Sequence, residues 1–237
     1  MQAPYALDVL DTCLTCPVRE EHLFCNLSPQ AGQHLNEIKS TAVYPKGAIL
    51  FIEGQQPRGV FVLCVGKAKL STSSHEGKTI ITRIAGHGDV LGLNAVVSNR
   101  PSEVTVEMME AGQVNFIPRD SLMQFLRDDS EVILHVAEEL SRNYYVAHEE
   151  IRTLGLTSSL SERLAKLLLS WSVNPVRNDG STQVKLRLSQ QEIAESIGTS
   201  RQVLSRLFFE FKQKDVLQVK GTTLFIRNRA LQEIARS

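Results

Sequence analysis

Residues 188–226, reading LSQQEIAESIGTSRQVLSRLFFEFKQKDVLQVKGTTLFI, constrain this chain more than any other stretch. Ser189 and Glu192 form a Ser-x-x-Glu capping box, which starts a helix by satisfying its first free backbone N–H groups. Ile193, Ala194 and Ile197 share one face of that helix. Gly198 ends it, because glycine adopts the left-handed turn without steric cost. Thr199 with Gln202 is a second capping signal, so a second helix begins at once. Val203, Leu204, Leu207 and Phe208 turn inward on it. Arg201, Gln202, Ser205 and Arg206 then share the opposite face, at i, i+1, i+4 and i+5. Two short strands follow, at 217–219 and 223–226, with a turn at Lys220 and Gly221. Helix, tight turn, helix and ribbon in this order make a winged helix-turn-helix. The polar face of its second helix is the one that would enter the major groove of double-stranded DNA. The bland alternative is a three-helix unit with a solvated basic face.

The net charge of zero conceals an asymmetry. Residues 157–237 carry 13 Lys+Arg against 7 Asp+Glu, and the rest of the chain carries 13 against 19. A basic C-terminal part on an acidic N-terminal part suits DNA at one end only. No apolar run spans a bilayer, and the N-terminus lacks a signal-peptide pattern, so a cytoplasmic protein is expected. No P-loop, GxSxG or HExxH motif suggests an enzyme.

Four segments are expected in the 237 residues. Residues 1–30 hold three of the four cysteines. Residues 31–125 read as an all-β sensor, with apolar runs at 48–52, 60–65, 80–84 and 113–117 separated by frequent glycines. A long helix without proline or glycine follows from Asp120 to about Leu154; its dimerising part is placed at 126–156. Its positions Ile133, Ala137, Leu140, Tyr144, Ala147, Ile151 and Leu154 step by 4 and 3 in turn, which is an a/d seam of three heptads and predicts a parallel homodimer. Gly155 ends this helix, 154–158 is a hinge, and Ser159 with Glu162 starts the next. Residues 157–237 form the DNA-binding domain, interrupted by a polar loop at 173–183. The fold class is α+β: a jelly-roll barrel, a long dimerisation helix and a winged helix-turn-helix.

That order resembles the Crp/Fnr family of bacterial transcription regulators. The stretches YPKGAILFIEGQQPRGVFVLCVGKAKL and GHGDVLGLNAVVSNRPSEVTVE carry the resemblance together with the helix-turn-helix. It implies a homodimer on a palindromic operator, contact with RNA polymerase, and a cyclic-nucleotide-binding-like barrel that senses a signal. In the cyclic-AMP branch the barrel carries Gly-Glu-Leu followed by an Arg-Ser pair. Here those positions hold Gly92-Leu93-Asn94 and Glu103-Val104, and the nearest arginine is Arg100. Leu93 cannot accept a ribose hydrogen bond, and Glu103 would repel a phosphate. Cyclic AMP in that mode is therefore not expected, and the chain is closer to the Fnr branch.

Cys13 and Cys16 form a CxxC, with Cys25 eight residues beyond it. Clustered thiols in a reducing compartment suit an iron–sulfur cluster, a zinc ion or thiol redox chemistry; an unmetallated segment is the alternative. The Fnr branch likewise holds a [4Fe–4S] cluster on three N-terminal cysteines, with a fourth ligand in the barrel. The position of that fourth ligand is Asn115 here, and the Cys25 spacing differs. Cys64, in an apolar strand, is the remaining thiol and reads either as the fourth ligand or as a buried small hydrophobe. Asp8, Asp11, Glu20, Glu21 and His22 are near enough in sequence to supply another donor. The other histidines, His34, His75, His87, His135 and His148, show no ligand spacing and are expected at the surface. The expected signal is redox or oxygen; a small organic ligand in the barrel is the alternative.

Overall fold

The computed structural model describes residues 5, 7, 9–10, 12–16, 25–156, 159–172, 181–186 and 188–235, without the side chains of 150 and 153–156. The chain divides into two compact units, Met1–Thr72 with Thr82–Ala147, and Ser73–Ile81 with His148–Ser237. No described helix is long and apolar enough to cross a membrane.

A 3-10 turn at Cys13–Thr15 opens the first unit, capped by the Thr12 hydroxyl, which accepts from Leu14 N. Helix α1 (Pro29–Ile38) follows; Ser28 caps it, and Pro29 fits the first turn because no N–H is needed there. The strands are β1 (Ser40–Tyr44), β2 (Ile49–Phe51), β3 (Gly59–Leu63), β4 (Ala68–Ser73), β5 (Thr79–Ala85), β6 (Val90–Leu91), β7 (Thr105–Met108) and β8 (Gly112–Pro118). They form two four-stranded sheets, ordered β1-β8-β3-β6 and β2-β7-β4-β5. This is the expected jelly roll. Two helices were not expected within its span: α1, ahead of the first strand, and α2 (Leu93–Ser98), between β6 and β7.

Alternation along β3 and β8 builds two cores. Leu63 and Val114 pack between the sheets with Phe51, Leu91, Val106 and Met108. Val60, Val62 and Ile117 face the other way, onto Leu35, Leu122, Phe125, Val132 and Val136 of the covering helices.

The single helix expected after the roll is two, α3 (Arg119–Asp128) and α4 (Ser130–Leu156). Asp129 breaks them apart. Its backbone is extended, and its carboxylate accepts from Glu131 N at 2.9 Å and Val132 N at 3.4 Å, capping α4. Helix α4 also continues past Gly155, to Leu156. Residues 157–158 of the expected hinge lie outside the described residues.

The second unit contains α5 (Leu160–Trp171), β9 (Ser181–Lys185), α6 (Gln190–Ser196), α7 (Arg201–Gln213), β10 (Leu217–Lys220), β11 (Thr223–Arg227) and α8 (Asn228–Ala235). Strand β9 takes up the end of the expected polar loop and pairs with β11, in a sheet ordered β10-β11-β9. Positions 173–180 of that loop lie outside the described residues. Ser159 caps α5 by accepting from Glu162 N, as the sequence indicates.

Candidate metal centre and nucleic-acid interface

The capping box of α6 is complete: Ser189 Oγ accepts from Glu192 N, and the Glu192 carboxylate accepts from Ser189 N. Gly198 follows with φ +70°. The cap of α7 is Ser200, whose hydroxyl accepts from Val203 N, rather than Thr199. Leu204, Leu207, Phe208 and Phe211 are buried beneath α7, and Val203 is half-buried. Arg201, Gln202, Ser205 and Arg206 are all exposed on the other side. Phe209 continues that face one turn further and is 63% exposed. The run FFEF held the clue: turning Phe208 and Phe211 inward at i and i+3 leaves Phe209 outside. The ribbon β10–β11 turns through Gly221 at φ +58° and is the wing.

In the first unit, all four cysteines line one cavity. The segment carrying Cys13 and Cys16 is clamped to the roll. Gln113, fully buried on β8, accepts from Leu10 N at 2.6 Å and donates to Leu10 O at 2.7 Å. Asn36 of α1 accepts from Cys13 N at 3.0 Å and donates to Thr12 Oγ1 at 2.9 Å. Gly32 of α1 leaves room for this segment, since a Cβ there would meet Leu14 Cδ2 at 2.9 Å. Cys64 follows β3, with its N donating to Gln113 O at 2.9 Å. Near Cys25, Ser28 N donates to Glu131 of α4 at 2.8 Å.

Sequence reasoning marked the Asn115 position but missed two lining residues, His87 and Lys39. Asn115 is 3% exposed; its amide nitrogen donates to Cys13 Sγ at 3.7 Å, and its oxygen accepts from Thr41 Oγ1 at 2.8 Å. His87, expected at the surface, is half-buried, with Nε2 3.8 Å from Cys16 Sγ. Lys39 also lines the cavity. The glycines flanking His87 were its only cue, because they let a tight turn carry the ring inward. Asp8, Asp11, Glu20, Glu21 and His22 lie outside the described residues.

None of the four cysteines is in a disulfide, and all are half-buried. Burial first, then repulsion from Cys13, Cys64, Cys16 and Glu139, pushes the Cys25 thiol up to about 12. Burial and Cys13 push Cys64 up to about 12 as well, against the pull of Lys39. Thiols held protonated are poor nucleophiles, which disfavours unassisted thiol–disulfide chemistry at Cys25 and Cys64. A bound metal charge reverses that balance, because it stabilises thiolates. The cavity leaves about 20 Å³ for a water centre. No three His, Cys, Asp or Glu side chains among the described residues are spaced to hold a single metal ion. Four soft sulfur donors around one apolar hollow fit an iron–sulfur cluster by donor chemistry.

Elsewhere on the roll, Leu93 is buried in the core, Asn94 hydrogen-bonds Glu103, and Arg100 is exposed. Arg83 on β5 donates to Asp89 and, at 2.6 Å, to Asn143 of α4. Glu139 of α4 is 1% exposed and accepts from Arg142.

The chain matches the model of a cyclic nucleotide-binding domain over residues 41–129 and that of a Crp-like helix-turn-helix domain over residues 162–233. The chain belongs to the Crp/Fnr family. A CRP-like cAMP-activated global transcriptional regulator of Mycobacterium tuberculosis is 22% identical over 86% of this chain and 91% of its own length. The fumarate and nitrate reduction regulatory protein of Vibrio cholerae is 26% identical over 94% of this chain and 90% of its own. A CRP/FNR-family transcriptional regulator from Thermus thermophilus has the same fold, with TM-score 0.68 and 20% identity over 84% of this chain and 99% of its own. This Crp/Fnr protein is accordingly a DNA-binding transcription regulator.

If Arg206 reads a base, its planar fork matches O6 and N7 of guanine. Arg206→Ala should then cost about 1–3 kcal/mol on the operator and relax discrimination at one base pair per half-site. Binding selections with both proteins check this; unchanged base preferences with a salt slope lower by about one would make Arg206 a phosphate contact.

Proposed function

We propose that this regulator works as a homodimer whose signal is redox or oxygen, read through an iron–sulfur cluster held by Cys13, Cys16, Cys25 and Cys64. The observation that carries this reading is the convergence of the four thiols on one cavity. The Vibrio cholerae relative, named for fumarate and nitrate reduction, agrees with a redox signal. When bound, the cluster would supply a redox-labile charge that holds the four sulfurs as thiolates.

The chain's own residues do the rest. Gln113 and Asn36 hold the Cys13–Cys16 arm, and Asn115 donates to Cys13 Sγ. Ser28 ties the Cys25 arm to α4, and its hydroxyl first and its backbone N second hold the Glu131 carboxyl below its usual range. Seating or releasing Cys25 therefore acts on the helix that carries the dimer seam.

Along that helix Ile133, Ala137, Tyr144, Ala147 and Ile151 are exposed, an apolar stripe with the period of a dimer contact. Leu140, expected in the seam, is half-buried against its own domain's core. Leu154's side chain lies outside the described residues. In the dimer, the face of Arg201, Gln202, Ser205 and Arg206 would meet successive major grooves of a palindromic operator, with half-sites roughly 34 Å apart. RNA polymerase would then be the partner at the promoter. Gating by an organic ligand in the roll is the second reading; an aromatic cavity in the roll favours it.

Anaerobically purified protein should be brown, absorb near about 400 nm and contain iron, and Cys25→Ala should lose both. Colourless wild-type protein without iron, with the same thermal melt as Cys25→Ala, would remove the cluster. Ile151 is 68% exposed, so Ile151→Glu should leave each chain folded while placing like charges across the seam. Light scattering should then report monomers and operator binding should weaken; an unchanged dimer would refute the seam.

A further inference from the structure

Among the described residues from α5 to α8, Phe209 is the only exposed large apolar side chain. It is 63% exposed, although Leu204, Leu207, Phe208 and Phe211 of the same helix are buried. Its ring makes no aromatic or cation–π contact among the described residues. Helix geometry sets its direction. At about 100° per residue, counted from Arg201, the four buried side chains occupy roughly 240–340°. Arg201, Ser205, Gln202 and Arg206 fall at roughly 0°, 40°, 100° and 140°. Phe209 falls at roughly 80°, in the middle of that polar sector and away from the core. A single exposed apolar residue is ordinary at a protein surface. One at the centre of a face otherwise made of base-reading groups is not.

The ring also reaches toward those groups. Helical side chains lean toward the N-terminus, so Phe209 covers the turn that carries Ser205 and Arg206. Ser205, four residues back on the same side, has only a hydroxymethyl group and leaves room for the ring. Along the axis Phe209 stands about 4.5 Å from Arg206, close to the step of roughly 3.4 Å between base pairs. A phenyl ring has no use for most of what the major groove offers. Base edges there present nitrogen and oxygen groups, and phosphates are charged; covering any of these strips water without giving a hydrogen bond in return. The exception is the C5-methyl of thymine, the one apolar group on a base edge in that groove.

We infer that Phe209 makes this regulator specific for a thymine, through contact of its ring with the C5-methyl, next to the base pair that Arg206 faces. Each bound chain reads one such thymine. The inference rests on α7 being the helix that enters the major groove, and it depends on neither the cysteines nor the dimer seam.

The test starts from a duplex that the full-length wild type, purified anaerobically, selects from a random-sequence library. Each thymine of the bound site is replaced in turn by deoxyuridine, which removes the methyl and nothing else. Wild type should lose roughly fourfold in affinity per bound chain at one such position, the effect of one buried methyl. Phe209→Ala should bind the thymine and deoxyuridine duplexes equally there, keep its preferences at the other base pairs, and melt as wild type does, since the side chain is exposed. Phe209→Leu, which stays apolar, should keep part of the preference for thymine. No deoxyuridine-sensitive position in wild type, sensitivity that survives Phe209→Ala, or a Phe209→Ala variant that weakens on all duplexes alike, as loss of a sugar contact would, each overturns the inference. Arg206→Ala on the same duplexes keeps the two readings apart. Base preferences changed by Arg206→Ala but not by Phe209→Ala defeat this contact alone. A wild type that selects no sequence, or preferences indifferent to both variants, defeats the α7 face and this contact with it.

Discussion

Strands β3 and β8 pair antiparallel from Gly59↔Pro118 to Leu63↔Val114, and the register of that pairing decides what each face of the sheet can hold. Side chains alternate along a strand, so a slip of one residue would exchange the two faces completely. In the register adopted, Val62, Asn115 and Ile117 face the helices and the N-terminal arm. Phe61, Leu63, Val114 and Phe116 face the interior of the roll. Cys64 continues the outward series. Hydrophobic burial on both sides fixes the register, since Val60, Leu63, Val114 and Ile117 are all fully buried. The placement of the fourth thiol beside the other three is thus a by-product of core packing.

From this sheet the structure reaches α4 through polar contacts that a buried environment makes consequential. Glu131 accepts from Ser28 N next to the Cys25 arm. Glu139 is buried, accepts from Arg142, and adds to the repulsion that keeps the Cys25 thiol protonated. One Glu139 oxygen, Oε1, has no partner among the described residues. A buried carboxylate with an unsatisfied oxygen is costly and sensitive to charge placed near it. Arg83 joins Asp89 to Asn143 on the same helix. These contacts link the cysteine side of the roll to the inner face of α4, and an apolar stripe lies exposed on its outer face.

The sequence made the helix-turn-helix legible because its signals are local. Ser189 with Glu192, Gly198 and the inward run from Leu204 to Phe208 act within a turn or two of the chain. The assignment of the α7 cap to Thr199 missed by one residue because Ser200 is equally able to accept from a backbone N–H. Strands β1, β4, β6 and β7 were hidden by their short length and by polar residues such as Ser40, Lys69 and Thr105. The helix break at Asp129 was hidden too, since aspartate there reads as an ordinary solvated residue until its carboxylate is seen capping α4. The cysteine site was half legible. The CxxC marked the arm, but only the β3–β8 register brings Cys64 to it and converts Asn115 from a lost ligand position into a donor to Cys13 Sγ.

The centre of this account is that Cys64 and the Asn115 position are neighbours around one four-thiol site. Iron and acid-labile sulfide measured on anaerobic Cys64→Ala and on the double variant Cys64→Ala with Asn115→Cys test that directly. The account predicts loss of the cluster in the single variant and its recovery in the double variant, because the new thiol enters the same cavity from the adjacent strand. Iron and sulfide equal to wild type in Cys64→Ala, or no recovery in a double variant that melts as wild type does, would contradict it.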